Sequence, residues 1–174
     1  MSSSRLFLLR HAKAGHPGAA DDHARPLTER GKRDAARLGS FLKNQSFAKE
    51  KPSVLCSDAA RTRQTYDALC EGLGQALSVS YDPRLYLAGP NEIITLLQGQ
   101  TAPSLLVIGH NPGIHQCCLL LAGAADPELL KDLRFRFPTA AMAEFSLGVS
   151  WRDLEPGAVR LEAFHLSHRE SAED

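Results

Sequence analysis

LFLLRHAKAG, residues 6–15, runs four apolar residues straight into Arg10 and His11. A continuous apolar run, in place of an alternating one, marks a strand buried on both faces, as in a parallel sheet covered by helices. Such a strand hands its next residues to the edge of the sheet. Here those residues are a guanidinium and an imidazole. The stretch that follows, HAKAGHPGAADDHARP (11–26), is dense in Gly, Pro, Asp and His and reads as a loop.

Outward from this stretch the same pattern recurs. SVLCS (53–57), LSVSYD (77–82) and SLLVIG (104–109) read as further short buried strands, and residues 140–147 and 158–166 as later ones. Helices fall between them. Thr28 can cap a helix in which Ala35, Leu38, Gly39 and Leu42 share one face. DAARTRQTYDALCEGLG stops at Gly72 and Gly74, GPNEIITLLQG opens with Pro90 and stops at Gly99, and IHQCCLLLAG follows the turn HNPG. Strand and helix in alternation predict an α/β fold with a mostly parallel central sheet and helices on both faces. The 174 residues are expected to form one domain, with a polar, frayed tail from about residue 167.

Composition removes several classes of function. Twenty basic and twenty acidic residues cancel, so nothing favours nucleic acid or an anionic membrane. The longest apolar runs are too short to span a bilayer. The opening MSSSRLFLLRHAK does not read as a secretory signal, and a cytoplasmic location is expected. Cys56, Cys70, Cys117 and Cys118 form no CxxC pair and are expected to be free thiols.

Ligands in open α/β sheets bind beyond the carboxyl ends of strands. Three of the expected strands end in related chemistry: the first at Arg10 and His11, the second at Ser57 with Arg61 one turn into the next helix, the fourth at Gly109 and His110. Two guanidinium groups and two imidazoles suit a phosphoryl group. Arginine presents a planar fork of donors to phosphate oxygens, and a neutral imidazole nitrogen attacks phosphorus. Each residue alone has an ordinary reading as a surface charge, a structural histidine or a turn; the joint placement favours a site. His110, His115 and Cys117 as a metal set fit no standard zinc spacing.

The segments LLRHAKA, RPLTERGKRDA, CSDAARTRQT and VIGHNPG resemble, in order and interval, the histidine phosphatase (phosphoglycerate mutase-like) superfamily. The resemblance runs from about residue 6 to about 147. The short chain and the plain LYLAGPNEI middle look most like the small phosphohistidine phosphatases of the SixA type, since there is no room for the insertion of the longer mutases. The resemblance implies His11 as the nucleophile that becomes phosphohistidine. It implies Arg10 and Arg61 as phosphate-binding arginines, and His110 as the second histidine on the phosphoryl group. It implies no metal or other cofactor. The expected partner is a phosphorylated protein, such as a histidine phosphotransfer or carrier domain, or a small phosphorylated metabolite. A broad phosphomonoesterase and a non-catalytic phosphoprotein-binding module are the competing readings.

Two positions depart from the family pattern. Ala12 stands where glycine usually follows the histidine; alanine is small and is expected to be tolerated, at a cost only if the backbone there needs a positive φ. The general acid has no clear counterpart. Glu92 is the candidate, with Asp82 behind it, yet Glu92 in the first turn of a helix is also where the dipole favours a carboxylate. An imidazole leaving group needs less protonation than an alcohol, so a weak acid favours a phosphoramidate substrate. Ser57 is expected to cap the helix of Arg61 or touch phosphate. Lys13 and Arg25 are placed near the mouth, Asn111 in its turn, His16 and His23 in the loop, and His115 and His165 in structural roles.

Overall fold

The computed structural model describes residues 3–16, 18 and 21–167. Its centre is β1 (Ser4–Arg10), in which Leu6, Phe7, Leu8 and Leu9 are fully buried. β4 (Ser104–Gly109) lies parallel to it with Arg10 level with Gly109. β2 (Ser53–Cys56) pairs parallel with β4, bringing Cys56 level with Ile108, and β3 (Val79–Tyr81) pairs parallel with β2. On the other side of β1, β6 (Met142–Leu147) runs antiparallel, followed by antiparallel β7 (Val159–His165) and then β5 (Ala122–Ala124), parallel to β7. The seven strands lie in the order β3-β2-β4-β1-β6-β7-β5. The sheet is therefore mixed, and its parallel half carries the strand ends singled out above.

Among the described residues six α-helices cover it: α1 (Glu29–Leu42), α2 (Ser46–Glu50), α3 (Ala60–Leu73), α4 (Pro90–Gln98), α5 (Gly113–Leu121) and α6 (Pro127–Phe135). Alternate residues of a strand face opposite sides. Phe7, Leu9, Leu106 and Ile108 pack against Leu38, Leu42 and Leu69 of α1 and α3. Leu6, Leu8, Leu105 and Val107 pack against Ile93, Leu97, Ile114 and Leu121 of α4 and α5. Both sides are apolar because both are covered, which is why the strands read as unbroken apolar runs.

Thr28 caps α1 as expected, its hydroxyl accepting from the Gly31 N–H at 3.0 Å. α1 and α3 approach so closely that a Cβ on Gly39 would lie 2.1 Å from the Leu69 carbonyl oxygen. Three elements depart from the expected pattern: α2, β5 and α6 are too short, or too irregular in apolar spacing, to announce a period. β3 is three residues at a sheet edge, shorter than the expected 77–82. The expected frayed tail beyond Ser167 lies outside the described residues.

Candidate active site

The parallel register does the first part of the assembly. Because β2, β4 and β1 are adjacent and parallel, their carboxyl ends open on one edge. Arg10 and His11 leave β1, Ser57 leaves β2, and His110 leaves β4. Arg61, one residue into α3, completes the group. Arg10, His11, Arg61 and His110 line one cleft of about 420 Å³ together with Lys13, Ala14, Asp22, Arg25, Leu87, Asn111 and Thr139. A larger cavity of about 590 Å³ lies elsewhere, walled in part by Leu38, Phe41, Phe164 and Leu166, and gathers no comparable set of anion donors.

His11 is fixed through its backbone and its ring. Its N–H donates to the Gly109 carbonyl at 3.0 Å and its carbonyl accepts from the Ala140 N–H at 3.2 Å. Its Nδ1 sits 2.8 Å from the Ala12 carbonyl oxygen. A carbonyl can only accept, so Nδ1 carries the proton and Nε2 keeps its lone pair. Burial lowers the His11 imidazole to about 4, aided by the charges of Arg61 and Arg10 and opposed by the Ala12 carbonyl. The ring is thus neutral at pH 7. His110 faces it at 5.3 Å between ring centroids. Burial, then His11 and Arg61, lowers His110 to about 3, and its Nε2 lies 2.8 Å from the Ser57 hydroxyl oxygen.

The cations are held from behind. Arg10 donates from one terminal nitrogen to the Phe137 carbonyl at 3.0 Å, an acceptor it shares with the Asn111 amide. Arg61, only 2% exposed, donates to the Asp22 backbone carbonyl at 2.7 Å and to its carboxylate at 3.1 Å. Arg25 donates to the same carboxylate at 2.9 Å and to the Gly15 carbonyl at 2.8 Å. The Tyr86 hydroxyl also donates to Asp22. That hydroxyl, then Arg61 and Arg25, holds the Asp22 carboxyl at about 2, so Asp22 is a carboxylate across the working range and no proton donor. Buried polar atoms ordinarily find partners. Here Nε of Arg10, Nε of Arg61, Nδ1 of His110 and Oδ1 of Asn111 are buried without one among the described residues. A site gathering unpartnered polar atoms around several cations is arranged for a ligand the protein itself does not supply.

Glu92 requires a correction. Its carboxylate accepts from the Gly89 N–H at 2.7 Å, closing the first turn of α4, and it does not line the cleft. Local capping claims the side chain before any distant site can. Asp82 is likewise tied to Arg84, at 2.7 Å. Ser57 does not cap α3, whose cap residue is Ala59; it holds His110 instead. Ala12 adopts no positive φ, since the non-glycine residues that do are Lys51, Leu87 and Ala140. Lys13 and Arg25 reach the cleft, whereas His16 is exposed outside it. His23 pairs with Asp58 at 2.9 Å, His115 meets the Leu133 carbonyl at 2.6 Å and His165 meets Glu144 at 2.7 Å. Asp22, Tyr86 and Leu87 are residues the sequence did not single out. No three His, Cys, Asp or Glu side chains among the described residues come together as a metal ligand set. The four cysteines form no disulfide, and burial pushes the Cys56 and Cys117 thiols up to about 12.

Comparison with known proteins agrees with this geometry. Residues 6–86 match the histidine phosphatase superfamily (branch 1). An uncharacterized protein of Mycobacterium tuberculosis is 35% identical over 91% of this chain and 99% of its own. A solved structure from Nakamurella multipartitia, provisionally named phosphohistidine phosphatase SixA, is 34% identical with a TM-score of 0.82, covering 95% of this chain and 97% of that one. A protein histidine phosphatase SixA solved with tungstate is 26% identical with a TM-score of 0.75, covering 94% and 97%. The chain belongs to the histidine phosphatase superfamily. Its fold is the phosphoglycerate mutase-like α/β fold, and SixA phosphohistidine phosphatases are among the solved structures it resembles.

Proposed function

We propose that this phosphatase hydrolyses phosphohistidine on a protein, without a metal ion, through a covalent intermediate on His11. The observation that carries this is the 2.8 Å bond from His11 Nδ1 to the Ala12 carbonyl, which leaves Nε2 as a free, neutral nucleophile beside Arg10, Arg61 and His110. The phosphoryl group sits between the two guanidinium groups, whose positive charge and donors compensate its equatorial oxygens, and the neutral imidazole of His110. Nε2 attacks phosphorus in line. The Nε2–P bond forms while the P–N bond to the substrate imidazole breaks, and the bonding pair leaves with that imidazole, which takes a proton from water. Water then attacks phosphorus, the P–Nε2 bond breaks, its pair returns to His11, and inorganic phosphate departs.

The substrate class follows from the acid. Asp22 is the one carboxyl among the described residues lining the cleft, and it is ionised. A site of this kind favours a leaving group that departs with little proton assistance, as an imidazole does and an alkoxide does not. Proteins named phosphohistidine phosphatases among the similar structures support the same reading.

The test is phosphate release from a histidine-phosphorylated carrier protein in the presence of a chelator. The native chain is expected to release phosphate and to trap acid-labile phosphate on quenching. His11→Ala is expected to do neither, and Arg61→Ala to lose at least about 2–3 kcal/mol of transition-state stabilisation, roughly a hundredfold in kcat/KM. Normal turnover by His11→Ala overturns the mechanism. Loss of activity with chelator overturns the metal-free reading. Turnover of alkyl phosphates far above that of phosphohistidine overturns the substrate.

A further inference from the structure

Leu87 is in a conformation its side chain does not favour. Residues 85–88 form a turn closed by the Ala88 N–H on the Leu85 carbonyl at 3.3 Å. Tyr86 has φ −64° and ψ 113°, and Leu87 has φ +53°. These are the signs of a type II turn, whose third position calls for glycine or asparagine because only they enter the left-handed region cheaply. The turn is pinned on both sides. Tyr86 packs edge-on against His110 at 5.5 Å and donates to Asp22. Ala88 lies so close to α5 that a Cβ on Gly113 would come within 1.8 Å of its carbonyl oxygen. The backbone therefore demands a positive φ, and the chain answers with leucine.

The core gains little from that choice. Leu87 is 57% exposed, and it lines the anion cleft; of the large exposed apolar side chains among the described residues, Phe41, Phe135 and Val149 do not. A single exposed leucine is ordinary, but one held at a strained turn on the wall of a charged cleft is not. Leu87 thus puts an exposed apolar side chain on the wall of the cleft that Arg10 and Arg61 line. We infer that Leu87 is a specificity residue that packs against the leaving group, the imidazole ring of a phosphohistidine and the apolar surface of the carrier protein beside it. This rests on the substrate proposed above.

Leu87→Asn and Leu87→Gly suit the turn and remove the apolar contact; Leu87→Met keeps it. kcat/KM is measured on a histidine-phosphorylated carrier protein and on phosphoramidate, which has no carbon. Leu87→Asn and Leu87→Gly are expected to melt no lower than the native chain. They should lose about tenfold in kcat/KM on the protein, through KM, and stay within about twofold on phosphoramidate. Leu87→Met is expected to keep native kcat/KM on both. Equal losses on both substrates, or none on either, overturn the inference. If the native chain ignores the carrier protein but hydrolyses an aryl phosphate, the substrate reading falls. Leu87 is then judged on aryl phosphate against phosphoramidate, where the same differential supports it and its absence overturns it.

Discussion

His110 shows how much of a reactive side chain's behaviour is set by one neighbour. Its Nδ1 is buried without a partner, so the Ser57 hydroxyl at 2.8 Å is the hydrogen-bond partner that fixes a ring otherwise held by packing against Tyr86 and His11. Ser57→Ala leaves the Nε2 nitrogen of His110 unsatisfied as well, in a buried place, at a cost of about 1–3 kcal/mol in stability. It should also lower kcat more than it changes KM if, as proposed, His110 meets the phosphoryl group, because the ring is then held in a looser orientation. Urea melts and steady-state kinetics check both parts, and an unchanged kcat would show that His110 needs no such support. Arg10, His11 and His110 were legible because each directly follows, or ends, an apolar run. Asp22 and Tyr86 were not. They act on Arg61 from 39 residues before it and 25 after it, and no local pattern marks either. Ala12 was legible as a departure that a small side chain should tolerate, but its surroundings were not: it is fully buried, packs with Ala35, Ala68 and Ala140, and its N–H donates to the Thr65 hydroxyl at 3.0 Å.

Between elements, the α1–α3 contact carries the site from below, since α3 bears Arg61 and Thr65. Gly39 touches the α3 backbone, with room for a hydrogen and none for a methyl. Gly39→Ala raises intrinsic helix propensity, yet overpacking is expected to win and destabilise the protein by about 1–3 kcal/mol. A thermal melt above the native value would show that the helices separate without penalty. The apolar face of α1 was readable because its period is long and its cap strong. Glu92 misled because a carboxylate in the first turn of a helix looks the same in sequence whether it caps or catalyses; at α4 it caps.

Over the whole molecule, the arrangement sets a pH dependence of stability. His11 and His110 have native values near 4 and 3, below the ordinary 6.5 of an unfolded chain. Between those values the unfolded chain binds more protons, so this contribution is fully present above about pH 6.5 and is lost as pH falls toward 4. Asp22, held at about 2, loses its contribution only below its ordinary 3.8. The urea midpoint is expected to drop between pH 7.5 and pH 5, and to drop less in His11→Asn, which cannot titrate. A midpoint flat across that interval would mean that the imidazoles are not buried as neutral groups.

The order of strands and helices, the doubly covered sheet and the four residues at two strand ends and one helix start follow from the sequence alone. Apolar runs, caps and stop glycines act over a few residues, and parallel neighbours bring their carboxyl ends to one edge. The antiparallel insertion of β6, the carboxylate behind Arg61, the true partner of Ser57 and the forced turn at Leu87 were decided by tertiary structure. Each depends on which distant backbone or side chain arrives alongside, and packing between elements, not a pattern within one, settles that.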